Sequence, residues 1–180
     1  DVDSYVAKLN AFSNDLTLLL APKSETEFNL EAFQNFMAGE LGFTGNSDDY
    51  YNPANSFVDR VIDRRLGIPI TLCLIYMVVG SKAGLSLEGV GLPGHFVVRF
   101  GEADADIYID PFHGGRLMTR HDCRRLVFDR GFDFSEEHLE PATSSAIIGR
   151  MCRNLAGAFS LRQAPVEARE YSEIERLIPL

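Results

Sequence analysis

The fold is decided by the apolar stretch Pro69-Ile70-Thr71-Leu72-Cys73-Leu74-Ile75-Tyr76-Met77-Val78-Val79. Its apolar side chains are distributed around the whole helical circumference, which is typical of a helix that is buried on every side. Proline suits the first helical position, where no N–H donor is needed, and Ala83-Gly84 is a common helix end. We therefore predict a central helix at the hub of the hydrophobic core.

After this helix the apolar residues alternate along the chain, which is typical of strands. Strands are predicted at residues 85–90, 95–100 and 105–110. If the loop 101–104 closes a four-residue hairpin, Phe100 lies opposite Ala105. In this register His95 lies opposite Asp110 and Arg99 lies opposite Asp106, all on one side of the hairpin. The side chains on the other side are apolar.

Helices are predicted on both sides of this central part. Helical spacing of apolar residues runs up to Pro22, continues over 28–41, and returns after an Asn52-Pro53 cap until Gly67. Three more helices are predicted at 119–128, 143–161 and 166–178, the last two as a hairpin. The predicted fold class is α+β, with a central buried helix packed on a small antiparallel sheet. We expect a helical segment over 1–45, a core over 46–118, and C-terminal helices over 119–180 that pack on the core as one unit.

The charge balance restricts the class of partner. The chain has 26 Asp and Glu against 17 Lys and Arg, a formal net charge of −9. This sign argues against nucleic acid and against a membrane surface as the main partner. The segment 116–130 is locally basic, with five arginines against Asp122 and Asp129, which indicates either a solvated helix face or a site for an acidic partner.

The cysteines and histidines give no sign of a disulfide framework or a metal centre. Cys73, Cys123 and Cys152 form no CxxC pair, so we expect reduced thiols in the cytoplasm. His113, His121, Asp122 and Cys123 lack a metal-ligand spacing, and no phosphate-binding glycine motif is present. We predict neither a cofactor nor a metal.

One constellation suggests chemistry. A carboxylate beside an imidazole can accept its N–H and fix its tautomer, which is the orienting half of a Cys-His-Asp site. His95 and Asp110 fit this role, although the same pair can serve as a structural hydrogen bond. Cys73 is the fifth residue of the predicted helix, beyond the first turn that favours a thiolate, and this position is typical of an inert core cysteine. Thr71 lies in the first turn, but an unactivated hydroxyl is a weak nucleophile.

Four blocks of the sequence resemble the signature blocks of the SirB-type transglutaminase-like proteins, and they occur in the family's order. The blocks are Asn55-Ser56-Phe57, Arg64-Arg65-Leu66-Gly67-Ile68-Pro69-Ile70-Thr71-Leu72, Glu88-Gly89-Val90-Gly91-Leu92-Pro93-Gly94-His95-Phe96 and Ile109-Asp110-Pro111-Phe112-His113-Gly114-Gly115. The resemblance covers about residues 30–118, and residues 150–155 resemble the start of the family's TPR-like helical segment.

The resemblance implies a papain-like core in which a cysteine begins the central helix, a histidine lies on the next strand and an aspartate on the strand after. His95 and Asp110 match the last two positions, whereas the nucleophile position falls on Pro69. We therefore expect a protein whose catalytic centre is degenerate and which binds a protein or peptide, so that it is more a binding or regulatory module than an enzyme.

Two other hypotheses stay open. The first is an active cysteine-type acyl-transfer enzyme, a transglutaminase, amidase or peptidase, that uses Cys73, His95 and Asp110. The second is a purely structural pair of His95 with Asp110. The expected groove or binding residues are Asn55, Thr71, Arg99, Tyr108, Arg120 and Arg124.

Overall fold

The computed structural model describes residues 1–22, 26–101 and 106–179. Its helices are α1 (Val2–Leu19), α2 (Thr26–Gln34), α3 (Val58–Arg64), α4 (Pro69–Lys82), α5 (Arg120–Asp129), α6 (Ser144–Leu161) and α7 (Pro165–Leu177). Its strands are β1 (Thr44–Gly45), β2 (Leu66–Gly67), β3 (Leu87–Val90), β4 (Val97–Phe100), β5 (Tyr108–Asp110) and β6 (Arg116–Met118). The mixture of helices and small sheets confirms the α+β prediction.

The predicted central helix is α4, and its position in the core is confirmed. Proline stands at its first position, and Leu72, Ile75 and Val79 are fully buried. It contacts α1, β3, β4, α6 and the short helical turn Pro111–His113. Because α4 touches elements from most of the chain, its apolar circumference is explained by burial on every side.

The main sheet has the order β3-β4-β5-β6, with antiparallel neighbours. Strand β4 buries both of its faces. Val98 and Phe100 lie in the cluster around α4, whereas Val97 lies in a second cluster that includes Cys123 and Val127 of α5. The sheet is therefore a middle layer between α4 and α5.

The predicted register between β4 and β5 is wrong by two residues. Arg99 pairs with Tyr108 rather than Asp106, and the amide of Phe100 donates to the carbonyl of Ile107 at 2.9 Å. The connection therefore spans 101–106 instead of 101–104, and Ala105 lies outside the described residues. A shift of two residues keeps every side chain on its predicted face, because the strand period is two. His95 and Asp110 still meet, although they are not opposed in the ladder.

Several elements differ from the expected helices. The predicted helix after Asn52-Pro53 is a short turn, Pro53–Asn55, followed by α3, because Phe57 is extended between them. Arg65 has a left-handed backbone (φ 61°) that ends α3, and β2 follows and pairs in parallel with β1. Strand β6 was not predicted. The described part of the chain has no helix long and apolar enough to cross a membrane.

Candidate functional site

The candidate site is built where β4 begins and β5 ends. His95 follows the turn 91–94, and its amide donates to the carbonyl of Leu92 at 3.0 Å. Asp110 closes β5 and caps the turn Pro111–His113, because its Oδ1 accepts from the amide of Phe112 at 3.1 Å. Proline after Asp110 stops the ladder and starts this turn. The local sequence therefore holds the carboxylate in one orientation.

Two histidines converge on this carboxylate. Oδ2 of Asp110 lies 2.8 Å from Nε2 of His95 and 2.7 Å from Nδ1 of His113. The side chains of His95 and Asp110 are each 1% exposed, whereas that of His113 is 49% exposed. Burial raises the pKa of Asp110, but the hydrogen bonds from His95 and His113 outweigh it and lower that pKa below its usual value. The carboxylate is therefore ionised at neutral pH.

The other nitrogen of His95 is covered by an arginine that follows the last turn of α5. Nη2 of Arg130 donates to Nδ1 of His95 at 3.3 Å, and Nη1 donates to the carbonyl of Gly94 at 2.8 Å. Because Nδ1 accepts from a guanidinium, the ring proton lies on Nε2 and is donated to Asp110. Both ring nitrogens of His95 are therefore engaged.

Arg130 is the site residue that the sequence analysis missed, because it entered only as one member of a basic segment. It lies 35 residues from His95 in the chain, and no local motif marks it. A capping box at Thr119 and Asp122 fixes the start of α5, and ten residues later the helix ends beside the turn 91–94. A contact over this separation depends on tertiary packing and not on a sequence pattern.

Cys73 lies inside the core. Its side chain is fully buried, and its thiol donates to the carbonyl of Phe96 at 3.4 Å. Burial raises the pKa of Cys73 well above its usual value, and the charge of Asp110 raises it further. The first position of α4 is taken by Pro69, which is itself buried. Cys73 is therefore a neutral thiol that faces a backbone carbonyl, and the first position of α4 has no thiol.

The expected groove residues are distributed over several parts of the molecule. Among the described residues, none of the six hydrogen-bonds His95 or Asp110. Asn55 is buried and donates to the carbonyls of Asp49 and Tyr50. Thr71 is fully buried, and its hydroxyl has no partner within the described chain.

The other four lie on α5 or on the side of the sheet that faces α5. Arg99 is nearly buried and forms an ion pair with Glu88, and Tyr108 lies in the cluster against α5. Arg120 donates to Glu136 at 2.9 Å. The guanidinium of Arg124 stacks over the rings of Phe128 and Phe134.

His95, Asp110 and His113 offer three donor atoms within 4.8 Å of one another, as a metal site does. Metal ligation would require the lone pair of His95 Nε2, which carries the ring proton as long as Arg130 donates to Nδ1. The guanidinium also brings a positive charge next to the ring. The cluster is therefore better suited to hydrogen bonding than to holding a cation.

Sequence comparison relates the chain to known proteins. A sequence model described as the transglutaminase-like superfamily matches residues 3–153. A UPF0162 protein of Xylella fastidiosa (strain 9a5c) is 33% identical over 165 residues, which are 88% of this chain and 56% of that protein. A UPF0162 protein of Vibrio cholerae is 30% identical over 146 residues, which are 79% of this chain and 54% of that protein. The chain thus spans little more than half the length of these bacterial relatives.

The similarity extends to a much longer protein. F-box only protein 21 of Homo sapiens is 37% identical over 106 residues, which are 54% of this chain and 17% of that protein. No solved structure matches the chain. The superfamily match covers both sides of the site, from α1 to α6, and we conclude that the chain belongs to the transglutaminase-like superfamily.

Proposed function

We propose that this chain is a transglutaminase-fold binding module for a protein or peptide, with a degenerate Cys-His-Asp centre. The observation that carries the proposal is the occupation of both ring nitrogens of His95, Nε2 by Asp110 and Nδ1 by Arg130. A general base needs a free lone pair within hydrogen-bond reach of the nucleophile. In this centre the lone pair of His95 Nδ1 already accepts a hydrogen bond from the guanidinium of Arg130.

The residues at and near the expected nucleophile position, Pro69 and Cys73, support the same proposal. A reactive cysteine is a thiolate in an exposed, electropositive environment. Cys73 is buried, its pKa is raised, and its thiol points to the carbonyl of Phe96. Pro69 stands where the resemblance expects the catalytic cysteine, and it brings neither a thiol nor an N–H donor.

The finer family assignment is part of the proposal. We infer a SirB-type protein in which α6 and α7 form a TPR-like hairpin on the core. The stacked rings of Phe159 and Tyr171, 5.7 Å apart, and the ion pair of Arg153 with Glu175 support this hairpin. Three buried, unpaired cysteines support a reducing, cytoplasmic environment. The match within a much longer chain supports use of the fold as a module.

An active acyl-transfer enzyme is the alternative, and one observation favours it. The thiol of Cys73 contacts the backbone of Phe96, the residue after His95, so the two groups lie close in the fold. Catalysis would require Arg130 to leave Nδ1 of His95 and the thiol to turn towards the ring. Cys73 would then act as nucleophile, His95 as general base and Asp110 as the orienting carboxylate.

Thiol reactivity distinguishes the two. The native protein is treated with iodoacetamide between pH 5 and 9, and the labelling rate of each cysteine is read by mass spectrometry in the wild type and in His95→Ala. Cys123 and Cys152 are internal controls, because both are buried and have a raised pKa.

The proposal predicts that Cys73 is labelled no faster than the control cysteines, and that any increase in its rate in His95→Ala is shared by Cys123 and Cys152. Labelling of a buried thiol then reports only opening of the structure. Fast labelling of Cys73 at neutral pH that collapses in His95→Ala would indicate a thiolate–imidazolium pair, and the binding-module proposal would be wrong.

A further inference from the structure

An open groove of about 440 Å³ lies beside the His95–Asp110 pair. Its lining residues come from β6, from α5 and from the segments that follow β5 and α5; they are His113, Arg116, Met118, Arg125, Leu126, Asp129 and Arg130. The volume falls within the range of roughly 300–1,000 Å³ that is typical of ligand sites. Two of its lining residues contact the pair, since His113 hydrogen-bonds Asp110 and Arg130 hydrogen-bonds His95, so the groove lies next to the polar centre.

The groove has an excess of positive charge. Three guanidiniums line it against one carboxylate, which gives a formal charge of +2 with His113 counted as neutral. The carboxylate of Asp129 lies 3.9 Å from Arg125, a distance at the limit of an ion pair. Arg116 has no ion pair within the described chain, and Arg130 donates only to the neutral acceptors of Gly94 and His95.

The basic residues of α5 separate into two groups. Arg120 is paired with Glu136, and Arg124 is stacked on two phenylalanine rings, so both have partners within the chain. Arg125 is directed to the groove instead. Arg116 reaches it from β6, where it is paired with Asp110 in the ladder. Two of the arginines that line the groove, Arg116 and Arg125, therefore lack strong partners within the described chain, and the third, Arg130, donates to neutral acceptors only.

We propose that this groove binds a short acidic peptide segment, whose carboxylates pair with Arg116, Arg125 and Arg130 next to the His95–Asp110 centre. The inference rests on the proposed binding function and names the chemistry of the partner. Guanidinium groups bind carboxylates through two parallel hydrogen bonds, which is stronger and more specific than a point charge.

The charge of the whole chain decides between an acidic peptide and a nucleic acid. With a net charge of −9, the protein repels a long polyanion at most of its surface. A short segment meets only the local charge, because electrostatic interactions are screened beyond about 8 Å at physiological ionic strength. The groove therefore favours a few carboxylates on an extended peptide.

The test is fluorescence anisotropy with a fluorescein-labelled tetraglutamate peptide at about 50 mM salt, where screening is weak. Tetraglutamine and a thymidine oligonucleotide of the same charge are the comparison probes. The test variant is Arg116→Glu/Arg125→Glu. The matched control is Arg120→Glu/Arg124→Glu, which changes the net charge equally and replaces arginines with partners inside the chain.

We expect tetraglutamate to bind the wild type and tetraglutamine not to bind. The groove variant should weaken tetraglutamate binding about tenfold or more, and the control variant by less than about twofold. Arg116→Gln/Arg125→Gln removes the charges without reversing them, and it should weaken tetraglutamate binding by a smaller factor. This variant is used if the two introduced glutamates impair folding.

Equal losses in the groove and control variants would overturn the proposal, as would equal binding of tetraglutamine, tighter binding of the oligonucleotide, or no binding of tetraglutamate at about 1 mM. These outcomes are independent of thiol labelling. A reactive Cys73 would disprove the binding-module proposal even if tetraglutamate binds, and failure of tetraglutamate to bind would leave the labelling result unchanged.

Discussion

Replacing Asp110 by alanine should destabilise the fold, because it removes the acceptor at the centre of the site. The carboxylate accepts three hydrogen bonds, from Nε2 of His95, Nδ1 of His113 and the amide of Phe112. Since His95 is 1% exposed, its N–H has no access to water once the carboxylate is gone. Alanine therefore leaves a buried donor without a partner.

The magnitude follows from the burial of each donor. An unsatisfied buried N–H of His95 costs about 1–3 kcal/mol, and loss of the cap at Phe112 costs about 1 kcal/mol. His113 is 49% exposed and returns to water, so its bond adds little. The sum is a loss of about 2–4 kcal/mol, or a decrease in Tm of roughly 5–15 °C for a chain of this length.

Urea unfolding followed by circular dichroism at pH 7 measures this loss. Asp110→Asn should lose less than Asp110→Ala, because the amide oxygen can still accept one hydrogen bond. The control is Asp129→Ala, an exposed carboxylate 3.9 Å from its partner, for which we expect a change within about 0.5 kcal/mol. If Asp110→Ala unfolds within 0.5 kcal/mol of the wild type, the buried hydrogen-bond network does not stabilise the fold as argued.

Three other predictions concern the pH dependence of stability and two further buried positions. Burial raises the pKa of Asp110, but the hydrogen bonds from its imidazole partners lower it below the value in the unfolded chain, which is about 3.9. The stability from this carboxylate is therefore complete above the unfolded-state pKa and is lost as the pH falls through the folded-state pKa. The difference in unfolding free energy between the wild type and Asp110→Ala should decrease on acid titration below pH ~4. Gly45→Ala should destabilise the fold by about 1–3 kcal/mol in urea unfolding, because the new Cβ would lie 2.4 Å from the carbonyl oxygen of Phe112. Gly39→Ala is the control and should not show this loss, because no atom lies within 4 Å of its new Cβ. Tyr76→Phe should be neutral or stabilising by up to about 1 kcal/mol, since the buried hydroxyl has no partner in the described chain, and a marked loss in thermal unfolding would indicate a hidden hydrogen bond.

The sequence was sufficient for the parts of the fold that depend on strong periodicity. The apolar run from Pro69 identifies α4, and alternation identifies β3 to β5 and the faces of their residues. The register of β4 and β5 was not predictable, because a loop rich in Gly and Asp fits four residues as well as six. A shift by two residues preserves the alternation, so the pattern contains no signal against it.

Only the pair of His95 with Asp110 in the candidate site was predictable from the sequence. Proline and glycine next to His95 and Asp110 indicate strand ends, and the contact of these two residues is present. Arg130 was not predictable as a site residue, because its position depends on how the end of α5 packs against the turn 91–94. Strand β2 has two residues, too few for a periodic pattern to be detected.

The most direct test of the central claim is the state of the His95 ring. The claim is that Nε2 carries the proton towards Asp110 while Nδ1 accepts from Arg130. Long-range ¹H–¹⁵N NMR of histidine side chains distinguishes the protonated from the unprotonated ring nitrogen, with Arg130→Gln as the comparison variant. We predict a protonated Nε2 and an unprotonated Nδ1 at neutral pH, with the Nδ1 resonance shifted in Arg130→Gln. A protonated Nδ1, or an Nδ1 resonance that is the same in both proteins, would contradict the account.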